Sequence, residues 1–365
     1  MTSAVARNAA LLIAECSENA RDLVRRCPPR LQARNKKLVF ELSSESGECT
    51  LVPKASIANP APFEGDVRVT RWRAPHHDEM PATLGFDAGT VEMSFPASIF
   101  AYDIPTTSQD GKPVVPWYVN FADSNVFGFY GGGLYAQDEM QVTEHPILGS
   151  VRQMLENLDL SKNPKMKALT METQPTPILV ENVQRRVVVD TFPSAAAPGG
   201  LYGNAFASAS FETIVQATHV LNPPTMSNII AIAAQGYGFG EYALPVINFS
   251  FLTAYTGFAA AVASSWLRLG KPADRKSFKV VINTGNWGCG AFGGNPTMMA
   301  LIQFAAAQAA GVDELIYSTV MPSPAVNRAR EIWNELVPTL RDKPVGAWLG
   351  AFEKLRLRWG VSNGT

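Results

Sequence analysis

Two adjacent acids, Asp138 and Glu139, follow three glycines, Gly131, Gly132 and Gly133, in the stretch FADSNVFGFYGGGLYAQDEMQ. Carboxyl groups set in a partly apolar pocket can protonate a leaving group and then take a proton from water. On a helix neighbouring side chains diverge by about 100°, so two adjacent acids cannot flank one bond from opposite sides and a single one must carry the step. The same acids are also favourable charges for the first turn of the helix that DEMQVTEHPILGSVRQML predicts. A second cluster weighs toward ligand chemistry. FKVVINTGNWGCGAFGGNPTMMALIQ runs from an apolar strand through Gly285, Gly288, Gly290, Gly293 and Gly294 into a helix with Pro296 in its first turn. Glycines there admit close backbone approach, and a helix N-terminus favours negative charge, so a phosphate or diphosphate is the expected guest. A tight strand-to-helix connection needs only one or two glycines. No Gly-Lys-Ser/Thr follows, which excludes a Walker A loop.

Other chemistry-bearing residues are weaker candidates. His76 and His77 adjoin Asp78 and Glu79, but contiguous side chains seldom converge on one ion, so no metal site is expected. His145 and His219 stand singly in segments that read as helical, where a structural or solvated role is expected. GxSxG is absent. Tyr237, Phe239 and Tyr242 leave the strand NIIAIAA on a glycine-rich loop and can stack a base or pin the loop to the core. GLYGNAF, residues 200–206, can line the same pocket or form a turn.

The chain that positions these groups has 365 residues, 46% hydrophobic and 17% charged, with formal net charge −1. These values predict a globular protein able to bury a large core and argue against broad electrostatic capture of nucleic acid. Cys16, Cys27, Cys49 and Cys289 lack CxxC spacing, and the opening apolar run is broken by Glu15. Reduced thiols, no membrane span and a cytoplasmic setting are the expectation. Residues 1–105 read as an accessory segment: a helix over AVARNAALLIAECSENARDLVRRC, stopped by Pro28 and Pro29, then short strands at KLVFELSS and GTVEMSF. Residues 106–365 alternate extended apolar and helical segments, which predicts an α/β sheet flanked by helices.

TGNWGCGAFGG followed by ALIQ resembles the phosphate loop and helix of the poly(ADP-ribose) glycohydrolase family, and the Gly-rich run before Gln137, Asp138 and Glu139 resembles that family's catalytic signature. AYTGF, residues 254–258, is similar to a further family stretch. The resemblance implies a macrodomain-like mixed sheet and cleavage of a ribosyl C1 glycosidic bond in an ADP-ribose-containing small molecule or ADP-ribosylated protein. It implies no metal or organic cofactor. It makes Glu139 the acid/base and gives Asp138 the orienting of a ribose hydroxyl or of Glu139. Substrate would touch Asn120, Asp123, Phe127, Gly131, Gly132, Gly133, Gln137 and Tyr237. Gly288, Cys289, Gly290, Ala291, Phe292 and Gly293 would hold the diphosphate, with Cys289 in a packing role.

Departures from the family pattern bear on the ligand. Only Leu134, Tyr135 and Ala136 separate Gly133 from Gln137, yet the loop from Ala122 to Gln137 keeps the family's length. Phe127, Gly128 and Phe129 therefore occupy the place of the family's three glycines. VNFAD stands for the usual VDFAN, Asp138 for a glutamate, and Val320 for a ring that lies against adenine. Three readings stay open: action on the polymer, action on a small NAD-derived conjugate, and a non-catalytic ADP-ribose-binding module.

Overall fold

The computed structural model describes residues 2–44 and 61–364; Cys49 lies outside them. In chain order the elements begin α1 (Thr2–Ala9), β1 (Leu12–Asn19), α2 (Ala20–Arg26), α3 (Arg34–Leu42), β2 (Asp66–Trp72), β3 (Glu92–Ser94) and β4 (Val114–Ala122). They continue with α4 (Gln137–Glu144), α5 (Ile147–Asn157), β5 (Ile178–Val189), α6 (Ala205–Ser208), α7 (Phe211–Ala217) and β6 (Thr218–Ala233). The last are α8 (Leu244–Arg268), β7 (Lys279–Gly285), α9 (Pro296–Ala310), β8 (Glu314–Ser318), α10 (Pro324–Leu340) and α11 (Val345–Lys354).

Among the described residues, eight strands form one mixed sheet in the order β1-β2-β5-β6-β4-β7-β8-β3. The half from β6 through β4, β7 and β8 to β3 is parallel; β1, β2, β5 and β6 pair antiparallel. One sheet face is covered by α1, α8, α9, α10 and α11 through a core that includes Trp117, Phe258, Phe304 and Trp348. The other face is covered by α2 and α5, with Leu23, Tyr118, Leu148 and Val151 in its core. A third cluster joins α3, α6 and α7 to the end of β5 through Leu38, Phe206 and Ile214. The helix α8 is long and apolar enough to cross a bilayer by length and composition, and its Ala254–Trp266 stretch is buried against the sheet and α9.

The first residues depart from their sequence reading. The run expected as one helix up to Pro28 is α1, then β1, then α2, because Leu12–Asn19 pairs antiparallel with β2. KLVFELSS is helical: Asn35, Leu38, Val39 and Leu42 recur at turn spacing and form the buried face of α3. His219 lies on β6, not on a helix. β1, β2 and β3, all before residue 105, belong to the same sheet as β4–β8.

Parallel pairing determines where a site can form. Ala122 aligns with Ala233, and Gly285 with Ser318, so the chain leaves β4, β6, β7 and β8 along one edge of the sheet. Loops 123–136, 234–243, 286–295 and 319–323 therefore gather outside the carboxyl ends of neighbouring strands, where α/β proteins bind ligands.

Candidate active site

The start of α4 is fastened to the end of β4. Gln137 Nε2 donates to Val119 O at 2.9 Å, and Phe121 N donates to Gln137 Oε1 at 2.7 Å, so Gln137 acts as a clasp. One residue on, Asn120 Nδ2 donates to Asp138 Oδ1 at 2.9 Å, and both side chains are buried. Glu139 is only 3% exposed, and its Oε2 accepts Ala136 N at 3.1 Å, capping its own helix. Burial pushes the Asp138 carboxyl up to about 7, with the Glu139 charge adding to the effect. Burial also raises Glu139, against the pull of the Lys36 ammonium. A carboxyl of this kind can hold a proton near neutral pH and still release it.

The loop between β4 and α4 distributes its residues differently from their sequence reading. Asp123 Oδ1 accepts Ser124 Oγ and Asn125 N, both at 3.1 Å, which forms the turn out of β4. Phe127 has φ +53° and its ring is fully buried with Val126 and Tyr130, so of the two rings expected beside the ligand only Phe129 is exposed, by 59%. Gly131 has a packing reason. A Cβ on Gly131 would lie 2.4 Å from Arg30 O, and Gly131 O accepts the amides of Gln32 and Ala33. Residues 30–33 thus cross Gly131 at backbone contact. Gly132 and Gly133 border a surface hollow of about 550 Å³ that Arg30, Phe129 and Arg152 also line.

On the neighbouring strand, the loop after β7 is anchored from below. Trp287 is fully buried and its Nε1 donates to Ile232 O at 3.1 Å, so the indole holds the loop to β6 and offers no stacking face. Gly288 and Gly293 have φ of +75° and +69°, conformations that favour glycine. Gly293 N donates to Gly290 O and Gly294 N to Gly288 O, which folds the loop back on itself. Cys289 Sγ donates to Trp287 O at 3.5 Å, and burial pushes the thiol up to about 12, which fits packing and not nucleophilic attack. Asn295 caps α9 by accepting Thr297 N and Met298 N, so those two amides already have a partner. The Ala291 and Phe292 backbone sits between these fixed points, and Phe292 O accepts Tyr237 N at 3.0 Å.

Tyr237 is 76% exposed, with its ring centroid 5.7 Å from that of Phe292. Tyr242 is instead buried, stacked on Trp359 at 4.4 Å, with its hydroxyl accepting Asn295 N. Trp359 belongs to residues 356–364, a segment that lies along the glycine-rich loop: Trp359 N donates to Gly240 O, and Asn295 Nδ2 donates to Arg358 O. The structure therefore gathers Asn120, Gln137, Asp138 and Glu139 at the end of β4 and Tyr237 with residues 288–293 at the ends of β6 and β7. Elsewhere, Glu79, once a metal candidate, makes a two-pronged pair with Arg73 at 2.6 and 2.7 Å. Sequence reasoning missed Lys36, a buried ammonium whose charge acts on both acids. Its signal was a lysine on the apolar face of an amphipathic helix, hidden because the stretch that follows it, KLVFELSS, reads as a strand.

Residues 202–325 match the family model described as Poly (ADP-ribose) glycohydrolase (PARG), Macro domain fold. Among solved structures, the chain is similar to poly(ADP-ribose) glycohydrolase from Thermomonospora curvata, at 13% identity over 92% of this chain and 99% of that one, TM-score 0.38. It is also similar to the Deinococcus radiodurans poly(ADP-ribose) glycohydrolase in complex with ADP-ribose, at 16% identity over 67% of this chain and 86% of that one, TM-score 0.38. The mixed sheet flanked by helices defines an α/β protein, and the matched segment is similar to a macro-domain fold. The part of the chain that is similar to the poly(ADP-ribose) glycohydrolase family model, residues 202–325, carries Tyr237 and the loop after β7. The match starts beyond Glu139, so the acid pair rests on its own geometry.

Proposed function

We propose that this protein is a glycohydrolase that cleaves the ribosyl C1 glycosidic bond of an ADP-ribose-containing substrate, with Glu139 as the acid/base. The observation that carries the proposal is the buried Asp138–Glu139 pair at the carboxyl end of β4, one strand from the loop 286–295. Glu139 Oε2 is engaged by Ala136 N, so Oε1 is the oxygen from which a proton passes to the departing group. The resulting carboxylate takes a proton from the water that attacks C1. Asn120 holds Asp138 beside it. Backbone amides of Gly290, Ala291 and Phe292 meet the diphosphate, and Tyr237 lies against the base.

The substrate favoured is compact: an ADP-ribosylated protein side chain or a small NAD-derived conjugate. Phe129 stands exposed where the family has glycine, and Val320, 57% exposed, replaces a ring. The experiment compares poly(ADP-ribose), mono-ADP-ribosylated protein and NAD-like dinucleotides at equal ribosyl concentration, measuring free ADP-ribose. Release that is lost in Glu139→Gln, and fastest from a compact substrate, is the expected result. Polymer degraded as fast as the best small substrate would overturn the preference. ADP-ribose binding with no release from any substrate would favour the second reading, a binding module, which draws on the use of Glu139 as a helix cap.

A further inference from the structure

Lys36 lies on α3 with no solvent exposure. Its ammonium donates to Tyr130 O at 2.7 Å, and no carboxylate of the described residues comes within the 4.0 Å of an ion pair. An ammonium brings three donors, and taking it out of water is costly unless negative charge compensates. An apolar side chain would fill the same volume without that cost. α3 packs against α4, and the anions that act on Lys36 are Glu139 and then Asp138.

The remaining charges nearby are occupied or solvated. Asp123, at the end of β4, acts on Asp138 and opposes its ionisation. Glu144, at the far end of α4, is paired with Arg185 at 2.8 Å. Arg34 and Lys37, on α3 itself, and Glu212 on the adjoining α7 are exposed, with Arg34 lying over the Phe211 ring. Lys36 is thus the cation that pulls both buried carboxyls back toward ionisation.

We propose that Lys36 is a positioning residue for the acid pair: its buried ammonium offsets the burial of both carboxyls, so that the proton Glu139 carries can be released and regained near neutral pH. The catalytic consequence rests on the reading of Glu139 as acid/base; the electrostatic coupling does not. Burial brings the Lys36 ammonium down to about 8, so it is charged at neutral pH and can lose its proton just above it.

The test is a pH titration by NMR, with ¹³C-labelled carboxyls and ¹⁵N-labelled lysines, of the parent protein, Lys36→Met, Lys36→Arg and Glu139→Gln. In the parent, the carboxyl signals of the pair should show a second inflection near pH 8, where Lys36 loses its proton. Lys36→Met should abolish that inflection and move the main carboxyl midpoint up by about one pH unit or more. Lys36→Arg should restore the midpoint without the inflection. Reciprocally, Glu139→Gln should lower the midpoint of the Lys36 ammonium, and this arm decides the matter if Lys36→Met does not fold. Carboxyl titrations identical in the parent and Lys36→Met, or a Lys36 midpoint unmoved in Glu139→Gln, would overturn the proposal. With an active substrate, the pH–rate profile of Lys36→Met should move to higher pH with the carboxyl midpoint, and Lys36→Arg should bring it back. Coupling seen by NMR in a protein that releases ADP-ribose from nothing supports the proposal and removes the glycohydrolase reading instead.

Discussion

Asn120 on β4 and Asp138 on α4 meet through a 2.9 Å hydrogen bond with both side chains buried, which locks the register between the central strand and the helix that carries Glu139. The two acids therefore have separable duties. Glu139→Gln keeps shape and the Ala136 cap but removes the transferable proton, and turnover should fall by roughly 10²- to 10⁴-fold with ADP-ribose affinity little changed. Asp138→Asn should reduce turnover less. Initial rates of ADP-ribose release and calorimetric affinities check both; near-parent turnover in Glu139→Gln would remove it from the chemistry.

Asp138 also predicts a dependence of stability on pH. In the folded protein it keeps its proton up to about 7, whereas an ordinary aspartate releases it near 3.8. Between those values the folded state binds more protons, so this residue's contribution to stability is full below the lower value and is lost as pH rises through the upper one. Asp138→Asn is insensitive to that loss. Its melting temperature, relative to the parent, should rise steadily from pH 4 to pH 7 and level off above. A pH-independent difference in differential scanning calorimetry would mean the carboxyl is not held protonated.

Gly293→Val tests the loop after β7. The backbone is at φ +69°, and a Cβ would stand 3.1 Å from Ser362 N, so the substitution strains the loop and presses on residues 360–362. A left-handed conformation costs a side chain about 1–2 kcal/mol, which predicts a melting temperature lower by a few degrees. Calorimetry should show weakened ADP-ribose binding in the folded variant; unchanged affinity would assign the loop a structural role only.

Tyr237→Ala separates stacking from support. Its ring is mostly exposed, so its loss should leave the melting temperature within about 1 °C, as surface changes do. If the ring lies against the base, ADP-ribose affinity should drop by about 1–3 kcal/mol. Unaltered affinity would leave the base to another partner.

Much of the sheet was legible because β4, β5, β7, β8 and the Ile229–Ala233 half of β6 carry apolar runs, and the loop 285–294 was legible because its glycines exceed what a turn needs; the polar first half of β6 was not. What escaped depended on contacts between distant residues. KLVFELSS taken alone reads as a strand; the helical spacing of α3 shows only when Asn35 is included, and its place is fixed by Asn35 bonding to Phe206 O and Ala209 O and by Lys36 bonding to Tyr130 O. Likewise the aromatic run at 127–129 reads as a crowded ligand wall until the positive φ of Phe127 turns its ring into the core. The glycines at 131–133 read as ligand contacts, but the closest neighbour of Gly131 is the backbone of Arg30. The cover that Trp359 gives to Tyr242 joins residues on opposite sides of the glycine-rich loop and leaves no local trace.

The place of β5 in the sheet bears on how this protein can be handled. β5 is hydrogen-bonded to β6 on one flank and to β2 on the other, with Ile178, Leu179 and Val180 all buried. A chain shortened to begin after residue 105 would strip away β2 and leave a row of unpaired amides and carbonyls beside aliphatic side chains. Such an edge recruits further strands from other copies. The fragment would then report on self-association and precipitation before it reported on ADP-ribose, and an inactive preparation of it would say nothing about Glu139.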